Sequence, residues 1–409
     1  MQIVGIKDAQ HLPFWRRPVF LLLVFAFTVP IAFNTWMALL NNFVIEKAGF
    51  TGVEIGWLHT VREIPGLLSV GVIGLLIFIR EQLLGLVALA LLGVATAVTA
   101  WFPSLQGLLV VTMLSSLGFH YFETVNQSLQ LQWIDKKRAP QVLGWIVAVG
   151  SGASLLSYGL LVLTWKAFDL SYNTVYLVSG GFVALVAVFC YFAFPQFEST
   201  SKQKMSIVLR RRYWLFYALQ FIVGARRQIF MVFAAFMMVE KFGFEVHEVT
   251  ALLMLNFLAN LFIAPFVGKA VAVWGERRAL LVEYSGLTLV FLAYGGIYFF
   301  GWGVVLAATL YVLDHILFAL ALALKTYFQK IADPQDIAPT AAVAFTINHI
   351  AAVALPGLLG YLWVTSPGAV FFLAAAMAAT SLGLAFLIPR HPEKGRETIF
   401  SRGVRTVAE

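Results

Sequence analysis

Residues 216–236 read FYALQFIVGARRQIFMVFAAF, a stretch that is apolar except for a few polar residues, with Arg226 and Arg227 at its middle. About 20 apolar residues cross a bilayer as one helix. A charge at the centre of such a helix costs roughly 2.5–3.5 kcal/mol on insertion scales. Charges are kept at that depth when they face protein or a watery cavity, so the stretch reads as a membrane helix with a working face. A second apolar run carries Arg62 beside Glu63 in the same manner.

The rest of the chain has the same character. Its 409 residues are 61% hydrophobic and 12% charged, with a mean hydropathy of +0.86. Soluble domains are about 45–50% apolar and about 25% charged, so this composition defines a polytopic membrane protein. The single cysteine, Cys190, excludes a disulfide framework and a cysteine metal cluster. No cofactor and no resident metal are expected. The first apolar run is long and no small-residue cleavage site follows it, so it reads as a span and not as a signal peptide. There is no P-loop, glycine-rich nucleotide fingerprint or serine–histidine–acid order, so neither an enzyme nor coupling to ATP hydrolysis is expected.

Twelve apolar runs are long enough to span: 17–42, 53–79, 82–101, 105–132, 138–164, 172–194, 213–239, 247–273, 277–298, 302–330, 337–364 and 367–389. The longest joint, FPQFESTSKQKMSIVLRRR at 194–212, divides them. The organisation predicted is a six-helix bundle over 1–194, a linker over 195–212, a second six-helix bundle over 213–390 and a tail over 391–409. Lysine and arginine alternate with the spans. One side holds Lys7, Arg16, Arg17, Arg80, Lys136, Lys137, Arg138, Lys202, Lys204, Arg210, Arg211, Arg212, Arg277, Arg278, Lys330 and the basic tail, while the other holds only Lys47, Lys166 and Lys241. The basic side is cytoplasmic, which puts both termini in the cytoplasm. The net charge of +8 therefore marks topology, and nucleic acid is not an expected partner.

The halves repeat. FVIEKAGF at 43–50 matches FMMVEKFGF at 236–244, His120 returns as His315, and the RAP of 138–140 returns as the IAP of 337–339. Consistent shifts in chain order indicate a duplicated six-helix unit, and parallel repeats of this kind hold their substrate near the bilayer midplane.

Twelve spans in six plus six, a basic central loop and cytoplasmic termini resemble the major facilitator superfamily of secondary transporters, over about residues 15–390. The family's loop motif between helices two and three is degenerate: the first copy keeps only FIREQ around Arg80, and the second, GKAVAVWGERR, keeps Gly268, Gly275 and Arg277 but has Ala272 and Val273 in place of the Asp and Arg. AVGSGASLLSYG in the fifth helix has the small residues of the drug-antiporter motif without its proline, so no subfamily is assigned. The resemblance implies a central cavity lined by helices 1, 2, 4, 5, 7, 8, 10 and 11. It also implies that at least one of Arg226 and Arg227 reaches solute.

The polar residues supply the candidates. In the fourth run His120, Glu123, Gln127 and Gln130 lie at i, i+3, i+7 and i+10 on one helical face, flanked by Asn126 and Tyr121. That stripe either lines a cavity or bonds neighbouring helices. In the tenth run Asp314 and His315 lie near mid-span, about 100° apart, so that one faces the cavity while the other pairs between helices; Lys325, lower down, contacts solute or snorkels. The second run carries His59, Arg62, Glu63 and Pro65, in which Arg62 and Glu63 form an interhelical latch or touch solute. Arg226 and Arg227 pair with Glu123 and Asp314, or one pairs and the other binds an anion through its planar fork. Asn34, Asn256, Asn260, Asn348 and His349 are further solute contacts. Glu283 reads as lying near a cytoplasmic end.

Counting Arg62, Arg226 and Arg227 against Glu63, Glu123 and Asp314, with Lys325 lower down, leaves about one excess positive charge, and His59, His120, His315 and His349 titrate near neutrality. The function expected is proton-coupled transport of a small polar, anionic solute by alternating access, as symport or antiport. Glu123, Asp314, His120, His315 and Glu63 are the proton-coupling groups. The expected setting is a bacterial inner membrane, with a monomer whose partners are lipid, the solute and protons. A transition-metal carrier, a polyspecific exporter of amphipathic compounds and a non-transporting scramblase or sensor are the alternatives.

Overall fold

The computed structural model describes residues 3–6, 8–134, 139–198, 209–333 and 336–401. Lys7, Lys136, Lys137, Arg138, Lys202 and Lys204 of the basic side, and Arg402 and Arg405 of the tail, lie outside them. The elements are β1 (Ile3–Gly5), α1 (Pro18–Ala48), α2 (Gly52–Leu67), α3 (Gly71–Leu75), α4 (Glu81–Val98), α5 (Leu105–Trp133), α6 (Ala139–Thr164), α7 (Tyr172–Ala193), β2 (Gln196–Glu198), α8 (Trp214–Ile229), α9 (Ala235–Glu240), α10 (Val246–Trp274), α11 (Glu276–Phe300), α12 (Val304–Phe318), α13 (Leu322–Ile331), α14 (Ile337–Thr365) and α15 (Pro367–Ala385).

Among the described residues eleven helices are long and apolar enough to cross a membrane, with α8–α9 and α12–α13 each counting as one. The second predicted run is the exception. Instead of one helix over 53–79 it is broken into α2, a 3-10 turn at Leu68–Val70 and the five-residue α3. Pro65, Gly66, Gly71 and Gly74 fall in or beside the break, and each weakens an α-helical interior.

The chain forms two compact units. The first comprises Met1–Phe50, Trp57–Lys204 and Phe244–Met254; the second comprises Thr51–Gly56, Met205–Gly243 and Leu255–Glu409. In the first, α4 packs along α7 and α5, and α1 along α6 and α7. Leu22, Phe25, Leu89, Phe122, Val183 and Cys190 are in its core. Lipid tails are as apolar as leucine, so membrane helices hold together by close packing of small residues. A Cβ on Gly180 would lie 2.4 Å from the Gly93 carbonyl oxygen, which leaves α4 and α7 touching backbone to backbone.

A short parallel pairing of β1 with β2 departs from an all-helical chain, with Ile3 opposite Gln196. Buried Gln82, in the first turn of α4, donates to the Pro195 carbonyl (2.9 Å) and accepts from the Phe197 amide (2.9 Å). The Arg16 guanidinium donates to the Ala193 carbonyl at 3.0 Å. Three side-chain bonds thus hold the segment after α7 against the unit that precedes it.

In the second unit α11 packs along α15 and α8 along α14 and α15. Its core includes Tyr213, Phe216, Leu280, Tyr284, Phe328 and Ile388. Gly275 turns the chain between α10 and α11 with φ +77°, a conformation that favours glycine. On the polar edge of this unit, Arg210 grips Asp336 through two bonds of 2.5 and 2.9 Å. Asp333 pairs with Arg212 and, at 2.5 Å, with Lys394 of the tail. The Tyr327 hydroxyl donates to the Glu397 carbonyl at 2.6 Å. Hydrogen bonds from Lys394 and Arg212 hold the Asp333 carboxyl below the usual carboxylate range, and the bonds from Arg210 and Tyr213 do the same for Asp336. The basic residues at 210 and 212 therefore do more than mark topology.

Candidate functional site

The arginine pair of α8 opens onto a pocket inside the second unit. Arg226, Arg227, Phe230, Met231, Phe291, Asp314, His315 and Phe318 line it, and it encloses about 330 Å³ of space that includes open solvent. Three elements supply the walls: α8 with the turn that follows it, α11 and α12. Two of the spans lose α-geometry beside the pocket. The seventh widens to a π turn over Phe230–Ala234, and the tenth tightens to 3-10 over Ala319–Ala321. Such irregular turns recur at functional sites because they re-aim side chains and free backbone groups.

Consecutive arginines point about 100° apart on a helix, and their environments differ accordingly. Arg226 is 1% exposed. Its Nη2 lies 3.5 Å from Glu283 Oε1, and its carbon sits 5.8 Å from the Tyr284 ring centroid. Arg227 is exposed, and its guanidinium stacks over Phe318 at 4.8 Å. The partner of Arg226 is therefore Glu283, neither Glu123 nor Asp314. Glu283 is fully buried and meets the end of the Arg226 side chain, which its position near the start of α11 does not reveal. It occupies the second turn of α11, where sequence position alone looks superficial.

Asp314 and His315 both line this pocket. Phe230 packs against Tyr311 (4.8 Å) and His315 (6.4 Å). Adding Glu283 to the charge count changes it. Within the second unit two arginines, Arg226 and Arg227, accompany two acids, Glu283 and Asp314, and Lys325 is exposed on α13.

Gly224, one turn before the arginines, lets α14 close on α8: a Cβ there would lie 2.6 Å from Asn348 Oδ1. That oxygen has no hydrogen-bond partner among the described residues. His349 is buried beside it in sequence, Asn256 is buried with an unpartnered Oδ1, and Asn260 is half-buried.

The first unit holds its own polar cluster. Arg62 Nε and Nη2 donate to Glu63 Oε1 at 2.9 and 2.5 Å. The bonded pair lies within α2. Neighbours at i, i+1 do not ordinarily face each other, and here the long arginine folds back along the helix. The same guanidinium sits 5.6 Å from the Trp36 ring, with Nη1 3.7 Å from Met37 Sδ. The hydroxyl of Ser116 donates to the Arg62 carbonyl, and His120 Nδ1 lies 3.0 Å from Ser116 Oγ. His59 is buried against Trp36, ring centroids 6.1 Å apart, and its Nδ1 has no partner among the described residues.

In the α5 stripe Glu123 accepts from Gln127 Nε2 at 2.9 Å. Asn126 is half-buried with an unpartnered Oδ1. Buried Asn34 accepts from the Tyr158 hydroxyl at 3.2 Å, a bond between α1 and α6.

The sequence profile of the Major Facilitator Superfamily matches residues 20–356, and the chain belongs to that family. It is thus an integral, multi-pass membrane protein with the fold of secondary transporters. Two structures of the nucleoside transporter NupG are similar at 13% identity, with TM-scores of 0.73 and 0.71; they cover 90% of this chain and 99% and 98% of theirs. A bacterial homologue of the human lysosomal transporter Spinster, in an inward-facing and occupied conformation, has a TM-score of 0.65 at 13% identity, over 90% of this chain and 96% of that one. A bacterial metal transporter has a TM-score of 0.66 at 10% identity, over 90% and 97%. At these identities the likeness is one of fold. No curated protein matches the sequence.

Proposed function

We propose that the chain moves a small, polar, anionic solute by alternating access, driven by protons. The observation that carries this reading is the pocket of the second unit, where exposed Arg227 shares a cavity with Asp314, His315 and three phenylalanines. A guanidinium on an aromatic face presents its fork to a carboxylate or phosphate while the ring fixes its plane. With Asp314 ionised, the pocket lining carries a carboxylate that competes with an anionic solute for Arg227. With Asp314 protonated, that negative charge is gone from the lining. Anion and proton then favour each other's binding, which is the coupling a symporter needs. Glu123, Glu63 and His120 of the first unit belong to the same proton-coupled reading, as do the Asn34, Asn126, Gln127, Asn256, Asn260, Asn348, His349 and Lys325 contacts. Both termini are cytoplasmic in this reading, the protein is monomeric, and the membrane is a bacterial inner membrane. The chain's similarity to a nucleoside transporter and a metal transporter sets the competing solutes.

The test is a thermal-stability screen of the purified protein against carboxylates, phosphates, nucleosides, amino acids, sugars and divalent metals. A ligand at about 100 times its Kd stabilises the native state by about 2.7 kcal/mol. Stabilisation by an anion that is weakened in Arg227→Lys supports the reading, because lysine keeps the charge and loses the fork. A stabilising neutral or cationic ligand indifferent to Arg227→Ala removes it.

A further inference from the structure

The buried pair behind the pocket is incompletely satisfied. Arg226 and Glu283 touch at 3.5 Å, the long limit for a hydrogen bond. Arg226 Nη1 and Glu283 Oε2 are both buried without a hydrogen-bond partner among the described residues. The hydroxyls of Tyr284 and Tyr294 on the same helix are buried and unpartnered as well. A buried ion pair stabilises only when its remaining donors and acceptors are filled, so this arrangement gives up stability that a completed pair would supply. Asp314, 5% exposed, lies within Coulombic reach of both Glu283 and Arg226, and it lines the pocket, which Glu283 does not.

We infer that Glu283 and Asp314 compete for the single guanidinium of Arg226 and hold one proton between them. The carboxylate that pairs with Arg226 is ionised, and the other, left without a cation in a buried site, takes the proton. Asp314 receives that proton from a hydronium ion in the pocket, whose O–H bond breaks to leave water as an O–H bond forms on the carboxylate, while Arg226 rests on Glu283, the pairing seen here. When the proton passes to Glu283, the O–H bond on Asp314 breaks as that on Glu283 forms, and Arg226 is drawn from Glu283 to Asp314 at the pocket. The incomplete bonding of Arg226 is what lets it exchange partners.

The surroundings leave few other groups to do this. Arg227 and His315 face Asp314 from α8 and α12. Tyr284 and Tyr294 flank the acids from α11. α15, packed along α11, has no titratable residue. On α13, Lys325 is exposed, Tyr327 bonds Glu397 and Lys330 pairs with Glu276. On α9, Glu240 bonds Trp363.

This inference deepens the proton-coupled reading and rests on it, but its test needs no solute. The full chain in lipid is titrated while the infrared C=O band of protonated carboxyl groups is followed, for the unaltered protein and for Glu283→Gln, Asp314→Asn and the double variant. Competition makes an unusual demand. Removing either acid gives Arg226 to the other, which then stays ionised, so each single variant loses the same one-carboxyl band and the double variant loses no more than either. Two separable losses that add in the double variant overturn the inference, and so does a single variant that keeps the band. If Glu283→Gln does not fold, Glu283→Met takes its place, with loss of the band expected and its retention overturning the inference, as retention in Asp314→Asn also does. Uptake of the ligand found by the stability screen tests the coupling reading separately. Uptake indifferent to a pH gradient removes that reading and leaves the shared proton standing, whereas pH-driven uptake with additive band losses does the reverse.

Discussion

The two units bury an arginine in different ways. In the first, Arg62 reaches the residue next to it, and both side chains stay near a tenth exposed. In the second, Arg226 reaches across 57 residues to Glu283 on another helix, and both are closed from solvent. A pair made within one helix survives any movement of that helix. A pair made between helices depends on how they pack, so it can store and release a conformational preference. The comparison teaches that the first pair neutralises a charge locally while the second ties a charge to tertiary structure.

Breaking the second pair should have the largest effect. Arg226→Gln leaves two buried carboxylates without their cation, and loss of one partner of a buried pair costs about 3–5 kcal/mol. A large fall in thermal midpoint is expected in detergent, and adding Glu283→Gln should recover part of it, because the two positions are coupled. A double variant as unstable as the sum of the singles would make the second pair no more connected than the first.

A smaller effect is expected from Arg62→Gln in the first unit. Hydrogen bonds to charged groups contribute about 1.5–3 kcal/mol, and Glu63 keeps some access to solvent when its partner is gone. If this variant falls as far as Arg226→Gln, burial and not helix-to-helix pairing governs both sites.

Gly224→Ala sharpens the comparison between tertiary and local contacts. The new methyl meets Asn348 Oδ1 at 2.6 Å, so α14 must shift or the amide must turn. Overpacking of this kind costs about 1–3 kcal/mol. Gly144→Ala, in the first unit, meets nothing within 4 Å and should be neutral or slightly stabilising by helix propensity. Equal midpoints for the two variants would remove the close approach of α8 and α14.

The smallest effect concerns the polar edge of the second unit. Asp333 and Asp336 are held below the usual carboxylate range by Lys394, Arg210 and their neighbours. A depressed folded-state value means the stabilisation is complete above the unfolded value of about 4 and fades as pH falls through the folded one. The thermal midpoint should therefore drop on acidification below about pH 4, and Asp336→Asn should flatten that drop. A variant with the same acid profile as the unaltered protein would show that these ion pairs contribute nothing.

The sequence by itself determined the membrane class, the run of spans and the internal repeat. Span length and the cost of exposing backbone to lipid act residue by residue, so they can be read along the chain. It also singled out Arg226, Arg227, Asp314 and His315, which line one pocket, because charge within an apolar run signals itself. The break in the second span was half visible in Pro65, Gly66, Gly71 and Gly74. Tertiary structure alone decided which partner each charge takes. Glu283 sits eight residues into α11, where distance from the helix start gave no sign that Arg226 of α8 reaches it. Pairing depends on which helix faces are packed together, and that is fixed by contacts such as Gly224 against Asn348, between residues far apart in the chain.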